Sequence, residues 1–227
     1  MSRRLNAYDR AMLGMKDRLL DLSELVVKQL DQAMDSFLSQ NEALAKTVIH
    51  GDDAIDELEA ALEMEAMELI SIQQPVDQDL RFLAAIMRIS RELERISDYA
   101  CDIAEATLGL NNKGKWIKPL SDLPQMAELV YAMLAKGLKA YREKDLTLAG
   151  QLDADDDRVD RLYTAIYQEL AQLMKTNPDN VDQGLNILLI VRYLERIGDH
   201  VVNIAEMVIF VETGARHPFR TKAETDQ

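Results

Sequence analysis

The chain has little with which to build anything but helices. Of its 227 residues only 5 are proline and 9 glycine, and aromatics make up 5%. Long stretches therefore run without a backbone break, and few residues favour strands over helices. A single cysteine, Cys101, excludes an intramolecular disulfide and suits a reducing compartment, so a cytoplasmic location is expected. No apolar run approaches the roughly 18 residues of a membrane span. Met1-Ser2-Arg3-Arg4-Leu5 has no apolar core behind it that would make a signal peptide. Basic residues are outnumbered, 26 Lys and Arg against 40 Asp and Glu, for a formal net charge of −14. Nucleic acid is not expected as a partner, because covering phosphates takes clustered positive charge.

What is present is a repeat. Residues 93–105 read Leu-Glu-Arg-Ile-Ser-Asp-Tyr-Ala-Cys-Asp-Ile-Ala-Glu. They return 101 positions later as Leu-Glu-Arg-Ile-Gly-Asp-His-Val-Val-Asn-Ile-Ala-Glu, with 8 of 13 positions identical. A second match, Asp52-Asp53-Ala54-Ile55-Asp56 with Asp156-Asp157-Arg158-Val159-Asp160, runs at an offset of 104, and Leu44/Leu148, Leu58/Leu162 and Glu65/Glu169 keep that register. The period is too long for a solenoid, so a duplicated domain is expected.

Apolar spacing and breakers divide the chain into six helical segments. The first is expected from about Tyr8 to Ile49, with a bend near Ser39-Gln40-Asn41. His50-Gly51-Asp52-Asp53 reads as its end and as the cap of a second, which reaches Ile72. Gln73-Gln74-Pro75 precedes a third from Asp77 to Leu108. After a linker, Ser121 reads as the cap of a fourth, a fifth starts near Asp155 and ends around Thr176-Asn177-Pro178, and a sixth spans about Asn180 to Glu212. The expected architecture is all-α: two tandem three-helix bundles related by internal duplication, residues 1–110 and 121–215, with 111–120 as linker and 216–227 as a frayed tail.

On the third helix Leu93, Ile96, Ala100, Ile103 and Ala104 share one side, and Glu94, Asp98, Asp102 and Glu105 the other. On the sixth, Leu194, Ile197, Val201, Ile204 and Ala205 oppose Glu195, Asp199, Asn203 and Glu206. The acidic columns are expected to face away from the core. Asp52 with Asp56, and Asp156 with Asp160, sit four apart at the expected starts of the second and fifth helices, where capping and the dipole favour acids in any case. Antiparallel packing would set each such pair beside the acidic column of the next helix. Oxygen-rich clusters of this type suit hard cations. The candidate ligands are therefore Asp52, Asp56, Glu94, Asp98 and Asp102 in one copy, and Asp156, Asp160, Glu195, Asp199 and Asn203 in the other. The alternative is a set of solvated faces, with Arg91, Arg95, Arg192 and Arg196 offsetting the like charges.

Other chemistries fail on spacing. Asp153-Ala154-Asp155-Asp156-Asp157-Arg158 lacks the glycine of a calcium loop, and Thr164 stands where its bidentate Glu belongs. His50, His200 and His217 are preceded three residues earlier by Thr47, Ile197 and Gly214, so no Glu-x-x-His pair of a di-iron oxidase exists. Structural zinc lacks its cysteines and histidines. Lys113-Gly114-Lys115 has no glycine upstream at phosphate-loop spacing. No nucleophile–base arrangement is evident, and an enzyme is not expected. Lys113, Lys115, Trp116 and Lys118 in the linker form either a solvated connector with a packed Trp or a contact point for a partner or an anionic membrane surface.

Two three-helix units, each with Leu-Glu-Arg-Ile-x-Asp on the last helix and Asp-x-x-x-Asp on the middle one, resemble the PhoU family over about residues 5 to 215. Gly214-Ala215-Arg216-His217 is also similar to the family's ending. The resemblance implies a negative regulator of phosphate uptake and of phosphate-starvation signalling. Its expected partners are the ATPase of the phosphate ABC importer and a sensor histidine kinase, a homodimer is allowed, and membrane association would be peripheral, through those partners. It also implies a multinuclear iron or zinc cluster on the carboxylate motifs named above. Asn203 in place of the acid at Asp102, and Ser97-Asp98-Tyr99 against Gly198-Asp199-His200, depart from a symmetric pair of sites, which are therefore expected to differ. A structural helical scaffold without a metal role is the other function class.

Overall fold

Several helix ends fall where a side-chain cap or a left-handed residue resolves the free ends of the backbone. The computed structural model describes residues 6–110, 117 and 122–215. Helix α1 (Ala7–Leu38) opens with a capping box, the Asp9 amide donating to Asn6 Oδ1 at 2.7 Å and the Asn6 amide to Asp9 Oδ2 at 3.2 Å. It stops at Ser39, where Gln40 turns left-handed at φ 54°. Asn41 then caps α2 (Glu42–Gln73) by accepting from the Leu44 amide at 3.1 Å. A second left-handed residue, Gln74, and Pro75 separate α2 from α3 (Asp77–Leu108). The second half holds α4 (Asp122–Glu143), a short α5 (Leu146–Gly150) capped by Asp145, α6 (Leu152–Thr176), a 3-10 turn at Pro178–Asn180 and α7 (Val181–Thr213). Gly214 ends α7 at φ 73°, a conformation suited to glycine.

Three boundary expectations are corrected. The first interruption falls at Ser39-Gln40-Asn41, and α2 runs unbroken through His50 and Gly51. A cap with a left-handed turn ends a helix, whereas one glycine in its interior costs only about 1 kcal/mol. Asp52 and Asp56 are therefore mid-helix residues, more than two turns from the start of α2, and the helix dipole does not account for them. The fifth helix starts at Leu152 rather than near Asp155, because the Asp145 cap nucleates α5, and α6 follows it directly through Gln151. The expected Ser121 cap and the Lys113, Lys115, Trp116 and Lys118 cluster lie outside the described residues.

Helices α1, α2 and α3 pack as one three-helix bundle, and α4, α6 and α7, with α5, as a second. The bundles join mainly through α3 against α7. Along that seam Arg81 meets Val211, Glu92 meets His200, and Tyr99 meets Tyr193, so contacts ascend α3 as they descend α7 and the two helices are antiparallel. The apolar sides expected from the sequence, from Leu93 to Ala104 and from Leu194 to Ala205, are fully buried. No described helix is long and apolar enough to cross a membrane.

Candidate metal centres

The repeat recurs in three dimensions. Arg91 Nη1 donates to Glu94 Oε1 at 2.8 Å, and Arg192 Nη1 to Glu195 Oε1 at 2.9 Å. Arg95 Nη1 reaches Asp98 Oδ2 at 3.0 Å, and Arg196 Nη1 reaches Asp199 Oδ2 at 3.4 Å. Each arginine sits three residues before its carboxylate, a spacing that places the two side chains on one helix face.

The acidic columns do not simply face solvent, which corrects the sequence expectation. Helix α3 packs against α1, α2 and α7, which leaves a strip with Arg88, Arg91, Arg95 and Glu105 exposed. Glu94 is buried in consequence, while Asp98, Asp102, Glu195, Asp199, Asn203 and Glu206 are half-buried and only Glu105 is exposed. Burial, then the charge of Asp98, raises the Glu94 carboxyl, with Asp56 of α2 adding to the effect and Arg91 and Arg95 opposing it. Glu195 behaves alike: burial first, then Asp199, with Asp160 of α6 contributing. Asp56 is raised by burial, then by Asp52 and Asp98. The structure thus gathers Asp52, Asp56, Glu94 and Asp98 in one half, and Asp160, Glu195 and Asp199 in the other.

Two candidates are placed differently. Asp102 adjoins Asp98 and Glu105 but also lies toward Tyr193 of α7, in the seam between bundles. The amide of Asn203 donates to Glu92 Oε2 at 3.0 Å, beside the His200 Nδ1 contact with the same oxygen at 2.6 Å. Burial works to raise Glu92, but these hydrogen bonds and the charge of His200 bring it below its ordinary value. Asp156, Arg196, Asp199, His200 and Asn203, with Tyr99 from the other half, line a cleft of about 390 Å³.

The two halves differ where the middle helix meets the last. In the first, Asp52 Oδ1 accepts from Gln29 Nε2 at 3.2 Å and from Ser97 Oγ at 2.6 Å, and Ser97 also touches the Gln29 carbonyl oxygen. In the second, Ser97 is replaced by Gly198 and Gln29 by Met133. Asp156 is only 1% exposed there, and a Cβ on Gly198 would stand 2.8 Å from its Oδ1. A side chain at that point would force the buried Asp156 carboxylate to shift from its present place. Cys101 lies 3.5 Å from Gln29 Nε2, and burial followed by the charge of Asp52 pushes its thiol up, which keeps it protonated and unreactive.

As placed, no three His, Cys, Asp or Glu side chains among the described residues are grouped so as to hold a metal ion. The donor chemistry fits one nevertheless. Oε2 of Glu94 and Oε2 of Glu195 are buried and accept no hydrogen bond, at equivalent positions of the two halves. Their nearest cations are guanidinium groups at ion-pair range, Arg95 Nε at 4.0 Å and Arg196 Nε at 3.8 Å. Each buried oxygen therefore keeps an unused lone pair that a closer cation could take, and mutually raised carboxyls are relieved by a shared cation.

Comparison with known proteins decides the family. The model described as "PhoU domain" matches twice, over residues 19–107 and 123–208. The chain belongs to the PhoU family. Both PhoU domains contain their own five candidate residues. A phosphate-specific transport system accessory protein PhoU homolog of Zymomonas mobilis is 34% identical over 97% of this chain and 92% of its own. A homolog from Methanothermobacter thermautotrophicus is 35% identical over 88% of this chain and 92% of its own. Crystal structures of PhoU from Pseudomonas aeruginosa (TM-score 0.88, 31% identity, 92% of this chain and 100% of that one) and of the phosphate transport system regulatory protein PhoU from Streptococcus pneumoniae (0.87, 29%, 93% and 99%) share the PhoU fold seen here.

Sequence reasoning missed Gln29, Ser97 and Glu92. Gln29 had a readable signal, a polar residue next to Val26 and Leu30 on the buried stripe of α1. Glu92 had none, because its partners come from the other bundle.

The raised carboxyls make a testable statement. A carboxyl whose native value lies above its unfolded one binds more protons in the native state, so stability falls as pH rises through that window. Replacing Glu94 and Glu195 together by Gln is expected to raise the thermal midpoint at neutral pH in the presence of a chelator. The gain should fade as the pH falls toward the ordinary glutamate range, about 4. Equal melting of variant and parent at neutral pH contradicts the burial cost.

Proposed function

We propose that this chain is a negative regulator of phosphate uptake and phosphate-starvation signalling, acting by binding proteins rather than by catalysis. The observation that carries the reading is the 34% identity over 97% of the chain to a phosphate-specific transport system accessory protein PhoU homolog. The expected partners are the ATPase of the phosphate ABC importer and the sensor histidine kinase of the phosphate regulon. Removing the gene should leave phosphate-starvation genes expressed in phosphate-rich medium. Normal repression in that strain refutes the reading.

Metal binding belongs to the same proposal. Asp52, Asp56, Glu94, Asp98 and Asp102 would hold iron or zinc in one half, and Asp156, Asp160, Glu195, Asp199 and Asn203 in the other. A bound cluster would supply concentrated positive charge on the side of each bundle. The carboxylates must first turn away from Arg91, Arg95, Arg192 and Arg196, so these arginines hold the acidic seams together when no cation does. The same ion pairs favour a second reading, in which the protein is a helical scaffold whose acids are neutralised internally. Metal retained through dialysis of untagged protein distinguishes the two.

A further inference from the structure

Exposed apolar side chains on one face of α2 are not explained by the acidic seams. Among the described residues, α2 packs only against α1 and α3, and its third side is covered by no other described helix. On that side Met64, Met67 and Ile72 are 64%, 44% and 65% exposed, along a cleft of about 760 Å³. Val76 and Leu80 carry exposed apolar surface past the turn into α3.

The duplication supplies an internal control. At the offset of 104, Met64, Met67 and Ile72 correspond to Gln168, Ala171 and Thr176 of α6, while the inward positions stay apolar, Leu62 with Ile166 and Ala66 with Leu170. The second copy builds the same helix with smaller or polar residues at these three positions, so the large apolar side chains of α2 are not demanded by packing. Several large apolar side chains exposed on one face mark an interaction site, and methionine suits one that must adapt to its partner.

Charge states what the partner must be. From Gly51 to Gln73 the helix carries eight Asp and Glu and no Lys or Arg. Exposed Glu63 borders the apolar side chains, and exposed Glu68 lies between Met64 and Ile72, one turn from each. A second copy seated on this face would set its acids against the same acids, whereas a basic partner would complement them.

We propose that the outer face of α2 docks a basic amphipathic helix of a partner protein, its apolar side on Met64, Met67 and Ile72 and its Lys or Arg residues over Glu63 and Glu68. The surface rests on the reading that this chain acts by binding proteins, and it is independent of the metal.

The probe is a fluorescein-labelled Leu/Lys amphipathic peptide about six turns long, with a Leu/Glu peptide of the same pattern as control. Fluorescence anisotropy with the full chain should show saturable binding of the Leu/Lys peptide alone. Met64→Gln, Met67→Gln and Ile72→Gln together should weaken it by at least about tenfold. These are exposed sites, and the triple variant keeps every charge, so attraction to the acidic chain at large would survive it. Glu63→Gln with Glu68→Gln should weaken binding at low salt and less at high salt. Equal affinity in the triple variant overturns the proposal. So does concentration-dependent dimerisation of the parent that the triple variant abolishes, which would make a second copy the occupant. Because the readout uses purified protein, derepression in the deletion strain alongside unchanged peptide binding would remove this surface and leave the regulatory function standing.

Discussion

Replacing Leu93 by Ala is expected to destabilise the protein by about 2–5 kcal/mol, and Leu194→Ala by a similar amount. Both side chains are fully buried at equivalent positions of α3 and α7. Helix α3 touches α1, α2 and α7, and α7 touches α3, α4, α5 and α6, so neighbours hold the space open from several directions. A cavity in such a place collapses poorly, which puts these sites toward the upper part of the range. For a chain of this size each kcal/mol lowers the thermal midpoint by roughly 2–4 °C. Urea titration followed by circular dichroism should show the loss in both single variants. Met64→Ala, on an exposed face, serves as the control and should stay within about 0.5 kcal/mol of the parent. Equal midpoints for Leu93→Ala and the parent would mean that α3 is not the central helix of its bundle.

Asp98→Ala and Asp199→Ala together are expected to abolish retention of iron or zinc. Each aspartate lies one turn after the glutamate whose Oε2 accepts no hydrogen bond, Glu94 or Glu195. Asp98 is also close enough to Asp56 of α2 to raise its carboxyl. In the proposed centres these aspartates would link the ligands of the last helix to those of the middle helix, so removing them should cost the ion a shared ligand in each half. Elemental analysis of untagged protein after dialysis gives the stoichiometry for parent and double variant. Arg95 and Arg196 lose their closest partners in the variant but are surface residues, so helicity should be unchanged. Unchanged metal content in a folded double variant removes the assignment and leaves the scaffold reading. Since Asp52 is held by Ser97 and Gln29 while Asp156 lies against Gly198, the single variants should not lose metal equally.

The helical class and the duplication were legible because both are carried by periodic local signals. Residues 93–105 recur in order, and the apolar stripes of α3 and α7 follow the helix period and are buried as the period demands. Helix ends were legible where a cap or proline marks them, as at Pro75, and misread where a glycine stood in for one. Gly51 sits inside α2 at an open position, where it meets nothing. The break at Ser39-Gln40-Asn41 depends on Gln40 accepting a left-handed conformation, which its side chain does not announce.

The sequence by itself determined the residue types of the two sites, their four-residue spacing and their duplication, since these are properties of single helices. Tertiary structure decided everything that needs two helices at once. It turned Glu94 inward against α2, set Asp52 between Ser97 and Gln29, and closed Glu92 with His200 and Asn203 across the bundle seam. The physical reason is that a helix period fixes which residues share a face but not what that face meets. Burial, and with it the raised carboxyls of Glu94 and Glu195, is set by the neighbouring helices, and their placement depends on where the turns at Gln40 and Gln74 send the chain back.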